Sequence, residues 1–155
     1  MAYEIERKYL VDMTKLNMDE AVKKQRMRQG YLLNEKGRNV RVRIGGEKAY
    51  LTVKGAADGI RRLEFEYEIP VEDAEAMLGL TDGRLIEKTR YFFEVGGKTW
   101  EVDIFEGQNA GLVVAEIELE GENEAFERPL WITEDVSDDS RYLNAQLLLH
   151  PYCEW

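Results

Sequence analysis

The sequence predicts a mainly β (α+β) protein, a closed or nearly closed antiparallel barrel with a few short helices, in one domain over residues 1–155. Three observations predict it. Segments in which apolar and polar residues alternate recur along most of the chain, glycine-bearing turns separate them, and only short stretches repeat with helical spacing. The pattern yields about eight strands, and so many antiparallel strands beside so little helix favour closure over an open sheet with long exposed edges. A chain of 155 residues is long enough to bury a core without disulfides or a structural metal.

Residues 3–11 alternate cleanly, with Glu4, Glu6, Lys8 and Leu10 on one side and Tyr3, Ile5, Arg7, Tyr9 and Val11 on the other. Residues 14–25 are polar and lysine-rich around Leu16, Ala21 and Val22, a pattern for a short helix capped by Thr14 or Asn17. Residues 28–33, 38–45 and 48–55 follow as consecutive hairpins, turned at Asn34-Glu35-Lys36-Gly37 and at Gly45-Gly46. In residues 61–69, Arg62, Glu64, Glu66 and Glu68 oppose Leu63, Phe65, Tyr67 and Ile69, and Pro70 ends the run. A short helix is predicted over 71–80, then strands over 85–95 and 98–106 joined at Gly96-Gly97, and a strand over 111–120 closed by Gly121. The tail carries an acidic segment with Phe126, then Pro129, and a predicted helix over 139–149 capped by Asp138 or Asp139.

Composition narrows the function classes. The net charge of −10 and pI near 4.7 disfavour binding to nucleic acid or an acidic membrane surface, both of which require a basic face. Cys153 is the single cysteine and His150 the single histidine, so neither an intrachain disulfide nor a zinc cluster is expected; a metal here would be held by carboxylate oxygens. No run approaches the ~20 apolar residues of a membrane span, and the first residues carry charge where a secretory signal is apolar. A cytoplasmic location is the expectation.

Charge recurs on one face of nearly every strand. Arg41 and Arg43 oppose Val40, Val42 and Ile44; Lys54 opposes Leu51 and Val53; Glu101 and Asp103 oppose Trp100, Val102 and Ile104; Glu116, Glu118 and Glu120 oppose Ala115, Ile117 and Leu119. Periodicity leaves open whether that face meets solvent or a lumen. Like charges are paired with like, as in Arg41/Arg43, Glu64/Glu66 and Glu116/Glu118, and side chains two residues apart lie about 7 Å from each other on a face. Such pairs repel unless an oppositely charged ligand lies between them. Arginine and lysine suit the oxygens of a phosphate chain, and carboxylates suit its magnesium or manganese ions. Trp100, Trp131 and Trp155 read as packing residues, and no chemistry is assigned to His150, Cys153 or the segment 150–155.

Glu4-Ile5-Glu6-Arg7-Lys8 resembles the Glu-x-Glu-x-Lys signature of the CYTH superfamily, the triphosphate tunnel metalloenzymes. Later elements follow in that family's order: Gln29-Gly30-Tyr31-Leu32, Arg41-Val42-Arg43, Thr52-Val53-Lys54, Arg62 to Glu66, Glu87 to Tyr91, Glu101-Val102-Asp103, Glu116-Ile117-Glu118 and Arg141-Tyr142-Leu143-Asn144. The resemblance spans residues 3–144 and is closest to the short bacterial branch. It implies an eight-stranded barrel forming a polar tunnel, with a C-terminal helix near one mouth and the charged faces turned inward.

Carried over by position, the resemblance implies that Glu4, Glu6, Asp103, Glu116 and Glu118 bind metal, as two ions of Mg2+ or Mn2+, with no organic cofactor. It implies Lys8, Arg41, Arg43, Lys54, Arg62, Lys88, Arg90 and Arg141 as ligands of a triphosphate. Lys8, Glu4 and Glu6 form its implied catalytic group, with Lys8 read as a charged clamp rather than a base. Glu64, Glu66 and Glu101 are read as supports for the cations. The family implies metal-dependent hydrolysis of a linear triphosphate, inorganic tripolyphosphate first. Adenylate cyclisation is the main alternative, followed by thiamine or nucleoside triphosphate hydrolysis, and then a polyphosphate-binding barrel without catalysis. A barrel with an apolar, lipocalin-like cavity is the remaining alternative. The outer apolar faces leave room for a homodimer.

Overall fold

Nine strands form one antiparallel sheet in the computed structural model, which describes residues 2–155. They are β1 (Tyr3–Val11), β2 (Lys23–Glu35), β3 (Arg38–Gly45), β4 (Lys48–Asp58), β5 (Arg61–Ile69), β6 (Ile86–Val95), β7 (Lys98–Phe105), β8 (Val113–Glu118) and β9 (Ile132–Asp135). The order is β5-β4-β3-β2-β6-β7-β8-β1-β9, and β5 also pairs with β1, so eight strands close into a barrel and β9 is extra. Closure rests on a short contact in which Tyr3, Glu4 and Ile5 face Leu63, Arg62 and Arg61. Farther along β1, β9 takes over, with Tyr9 opposite Asp135 and Val11 opposite Ile132.

Two helical expectations are corrected. Residues 14–25 hold only a 3-10 turn, Met18–Glu20, whose cap is Asn17 accepting from the Asp19 amide. From Lys23 onward the chain is already strand, because Lys23 to Arg26 pair with Phe92 to Thr89, and a ladder partner outweighs a weak helical preference. The predicted helix over 139–149 divides into a 3-10 turn, Ser140–Tyr142, and helix α2 (Asn144–Leu149), because Leu143 is extended at φ −68, ψ 135. Asp139 does cap the first of these, accepting from the Arg141 amide. Helix α1 (Val71–Leu78) forms within the predicted span.

Most of the apolar packing lies outside the barrel wall. Tyr9, Phe93, Trp100, Val102, Ala115 and Ile117 are buried beneath Leu16, Leu119 and Trp131, with Trp100 and Trp131 meeting edge to face at 5.6 Å. Helix α1 sets Ala74 and Leu78 against Val42, Ile44 and Ala49 of β3 and β4. Gly30 allows that side to close, since a Cβ there would lie 2.8 Å from Thr81 Cγ2 and 3.0 Å from Leu85 Cδ2.

A third cluster plugs one end of the barrel. Two residues beyond the charged positions, the same inward faces turn apolar: Lys8 gives way to Leu10, Glu116 to Val114, Asp103 to Phe105 and Lys88 to Ile86. These apolar residues pack with Leu147 and Leu148 of α2 and with Tyr142. Asn34 also donates to the Ala145 carbonyl at 3.1 Å. Among the described residues, no helix is long and apolar enough to cross a membrane.

Candidate active site

A strand ladder places directly opposed residues on the same face, so register assigns the inner wall. Glu6 lies opposite Glu118, Lys8 opposite Glu116, Glu116 opposite Glu101, Arg90 opposite Asp103, and Lys54 opposite Glu64. Within that wall is a cavity of about 180 Å³. Its lining includes Glu4, Glu6 and Lys8 of β1, Arg41 and Arg43 of β3, Lys54 of β4, and Arg62, Glu64 and Glu66 of β5. Arg90, Glu101, Glu116 and Glu118 complete the charged part from β6, β7 and β8. The charged faces of the strands therefore point inward.

Three residues singled out from sequence do not line it. Arg141, expected among the phosphate ligands, is exposed and chelates Asp139, with its guanidinium 4.7 Å from the Trp155 ring centre. Lys88 and Asp103 lie behind the cavity surface, both fully buried. Asp103 accepts from Lys88 Nζ at 2.6 Å and from Arg90 at 2.7 and 2.9 Å. Both of its oxygens are thus engaged by cations, unlike those of a carboxylate free to ligate metal.

Five lining residues were given no role by the sequence reading, the polar Tyr31, Asn39 and Asn144 and the apolar Leu143 and Ala145, although Tyr31, Leu143 and Asn144 stood within quoted motifs. Strict alternation could have found Asn39, two positions before Arg41 on the same face, and register sets Tyr31 opposite Arg41. Nothing periodic marks Asn144, which enters from α2.

The electrostatics divide the site in two. Burial acts to raise the Asp103 carboxyl, but Arg90 and Lys88 outweigh it and hold the group far below the ordinary carboxylate range. Burial would likewise raise Glu116, yet Lys8 and Arg90 bring it down. At Lys8, burial favours the neutral amine; Glu116, Glu6 and Glu4 override it and raise the ammonium's pKa. The Lys8 ammonium stands 3.5 Å from Glu116 and 4.0 Å from Glu6.

Elsewhere negative charge is in excess. Glu6 is pushed well above the usual range by burial and by its neighbours Glu116 and Glu4. Burial raises Glu64 to about 7 against the pull of Lys54, and its Oε2 is buried without a hydrogen-bond partner. Glu4 would also be raised by burial, but Lys54 at 2.9 Å and hydrogen bonds with Glu64 and Glu6 bring it to about 2. Glu118 is raised by burial and by Glu4. A cation among Glu4, Glu6, Glu64 and Glu118 would relieve this repulsion, and an all-oxygen donor set suits a hard divalent ion. Among the described residues, these groups are not drawn together as a formed three-ligand cage; Lys54 lies between Glu4 and Glu64, 2.9 and 3.3 Å from them.

A closed antiparallel barrel whose enclosed face carries clustered cations beside under-neutralised carboxylates has the charge pattern of a tunnel suited to a polyanion together with cations. The model of the CYTH domain matches residues 2–148. The chain belongs to the CYTH family. It is 49% identical over 153 residues to an inorganic triphosphatase of Acetivibrio thermocellus, covering 98% of this chain and 97% of that one. An inorganic triphosphatase of Nitrosomonas europaea is 37% identical over 150 residues, covering 94% and 97%. Among solved structures, the inorganic triphosphatase NE1496 superposes with a TM-score of 0.68 at 35% identity, covering 96% of each chain.

Proposed function

We propose that this chain is a divalent-metal-dependent inorganic triphosphatase, which cleaves tripolyphosphate to pyrophosphate and phosphate. The observation that carries the reading is the division of one enclosed wall into a cationic part and an under-neutralised carboxylate part. That division supplies both charges a metal-triphosphate needs, in a chain nearly half identical to an inorganic triphosphatase.

Phosphoryl transfer to water depends mainly on alignment and charge neutralisation. Arg41, Arg43, Lys54, Arg62 and Arg90 hold phosphate oxygens, with Asp103 fixing Arg90 from behind and Lys88 reinforcing Asp103. Arg41 is steadied by Thr52 at 3.2 Å and Glu66 at 3.4 Å, and Glu101 pairs with Arg90. Incoming phosphate competes for Lys54 and Lys8, which frees Glu4, Glu6 and Glu116 of their ammonium partners. Glu4, Glu6, Glu116 and Glu118, joined by Glu64, are the residues that would hold magnesium or manganese. When bound, such ions neutralise phosphate oxygens and lower the pKa of a coordinated water. Lys8, kept protonated by three carboxylates, acts as a charged clamp, since an ammonium cannot accept a proton from water.

The test is phosphate release from tripolyphosphate, ATP and thiamine triphosphate in parallel, with magnesium, manganese or chelator, with cyclic AMP assayed from ATP. The expected result is metal-dependent release with tripolyphosphate strongly preferred. Full activity in chelator would remove the metal from the mechanism, and cyclic AMP as the main product would make the protein a cyclase.

A further inference from the structure

Helix α2 brings one polar side chain to the cavity, Asn144, and a buried amine fixes its orientation. Lys88 Nζ lies 3.0 Å from Asn144 Oδ1. Burial brings the Lys88 pKa down to about 7 against the pull of Asp103; charged or neutral, the amine donates to Asp103 and to the amide oxygen, so the NH2 group of Asn144 turns away from it. Among the described residues, no acceptor is hydrogen-bonded to that NH2 group, and Asn144 lines the cavity, as do Tyr31 and Arg43. Lys88 is itself held by Asp103 at 2.6 Å, and Asn34 anchors the adjoining Ala145 carbonyl at 3.1 Å. Lys88 thus holds the side-chain amide, and Asn34 holds the backbone of the residue after it, before any ligand arrives.

We propose that Asn144 is an anion-binding residue at the plugged end of the cavity, donating its side-chain N–H to a terminal phosphate oxygen, with Lys88 acting through it as a positioning residue. The proposal rests on the triphosphatase reading above. It gives the buried Lys88 a second purpose beside holding Asp103: the amine selects which end of the amide meets the substrate. It also makes α2 part of the substrate site as well as a plug.

Asn144→Asp separates this role from a purely structural one. Aspartate keeps the acceptor for Lys88 and converts the contact to an ion pair, so the tie to α2 survives, but it replaces the donor facing the cavity with a carboxylate oxygen. The variant is expected to melt no lower than the parent, to raise KM for tripolyphosphate roughly 10- to 100-fold, the range of one hydrogen bond to a charged group, and to lose the thermal stabilisation that tripolyphosphate gives the parent. A KM within about twofold of the parent, on a folded variant, overturns the proposal. Should the aspartate variant not fold, Asn144→Ala is judged by the same KM limits on folded protein. A parent that does not turn over tripolyphosphate would instead refute the functional reading, and an active parent with an indifferent variant would refute only the role of Asn144.

Discussion

Asp103 shows how chemistry at one position departs from its motif. It follows Glu101 by two residues on an inner face and has the side chain of a metal ligand, yet Lys88 and Arg90 occupy both of its oxygens. Replacing it with asparagine would remove the ion-pair partner of buried Lys88 and one of the carboxylates holding Arg90, so Asp103→Asn is expected to cost about 3–5 kcal/mol in urea unfolding. A loss below ~1 kcal/mol would show that the network redistributes its charge. Its folded pKa lies far below the ordinary 3.8, so the stability it contributes is fully present above that pH and is lost only as the pH falls toward the folded value. Alternation could assign such a residue to the inner wall. It could not reveal which neighbour claims each oxygen, because that depends on cross-strand partners far apart in sequence. The same gap hid Asn144, whose role is set by Lys88, 56 positions earlier.

At the scale of elements, the eight barrel strands and α1 were legible, whereas β9, the start of β2 and the break within 139–149 were not. Charged and apolar residues alternate so consistently in β1, β3, β5 and β7 that the period, and which residues share a face, follow from residue order alone. The start of β2 misled because Lys23 to Arg26 carry no strong strand preference and become strand only through β6. Extended Leu143 was equally invisible, a break made where α2 turns into the barrel end. Gly30 was quoted as part of a motif, but its reason is steric: the strand face beneath it must admit Thr81 and Leu85 from the segment after α1. Gly30→Val should therefore destabilise the fold by roughly 1–3 kcal/mol through overpacking. An unchanged melting temperature would mean that segment yields freely.

The whole molecule separates two kinds of packing. Closure turns the ionic faces inward, so the greasy faces must be covered from outside by α1, by the segment around Leu16 and by the one carrying Trp131. The sequence left the direction of the charged faces open; only the resemblance suggested it, because periodicity is the same for a wall seen from either side. Trp131 is buried against Trp100 and Phe93 on the far side from the cavity. Trp131→Ala should lower stability by about 3–5 kcal/mol while leaving kcat/KM of the folded fraction close to the parent's. A large fall in kcat/KM at a temperature where the variant is fully folded would show that the outer layer shapes the inner one.

A wall that is oily behind and ionic in front lets heritable change act on durability and on chemistry independently. Substitutions accumulating under the tryptophans would adjust how long the molecule lasts, and the ions facing inward would be left to select what it handles.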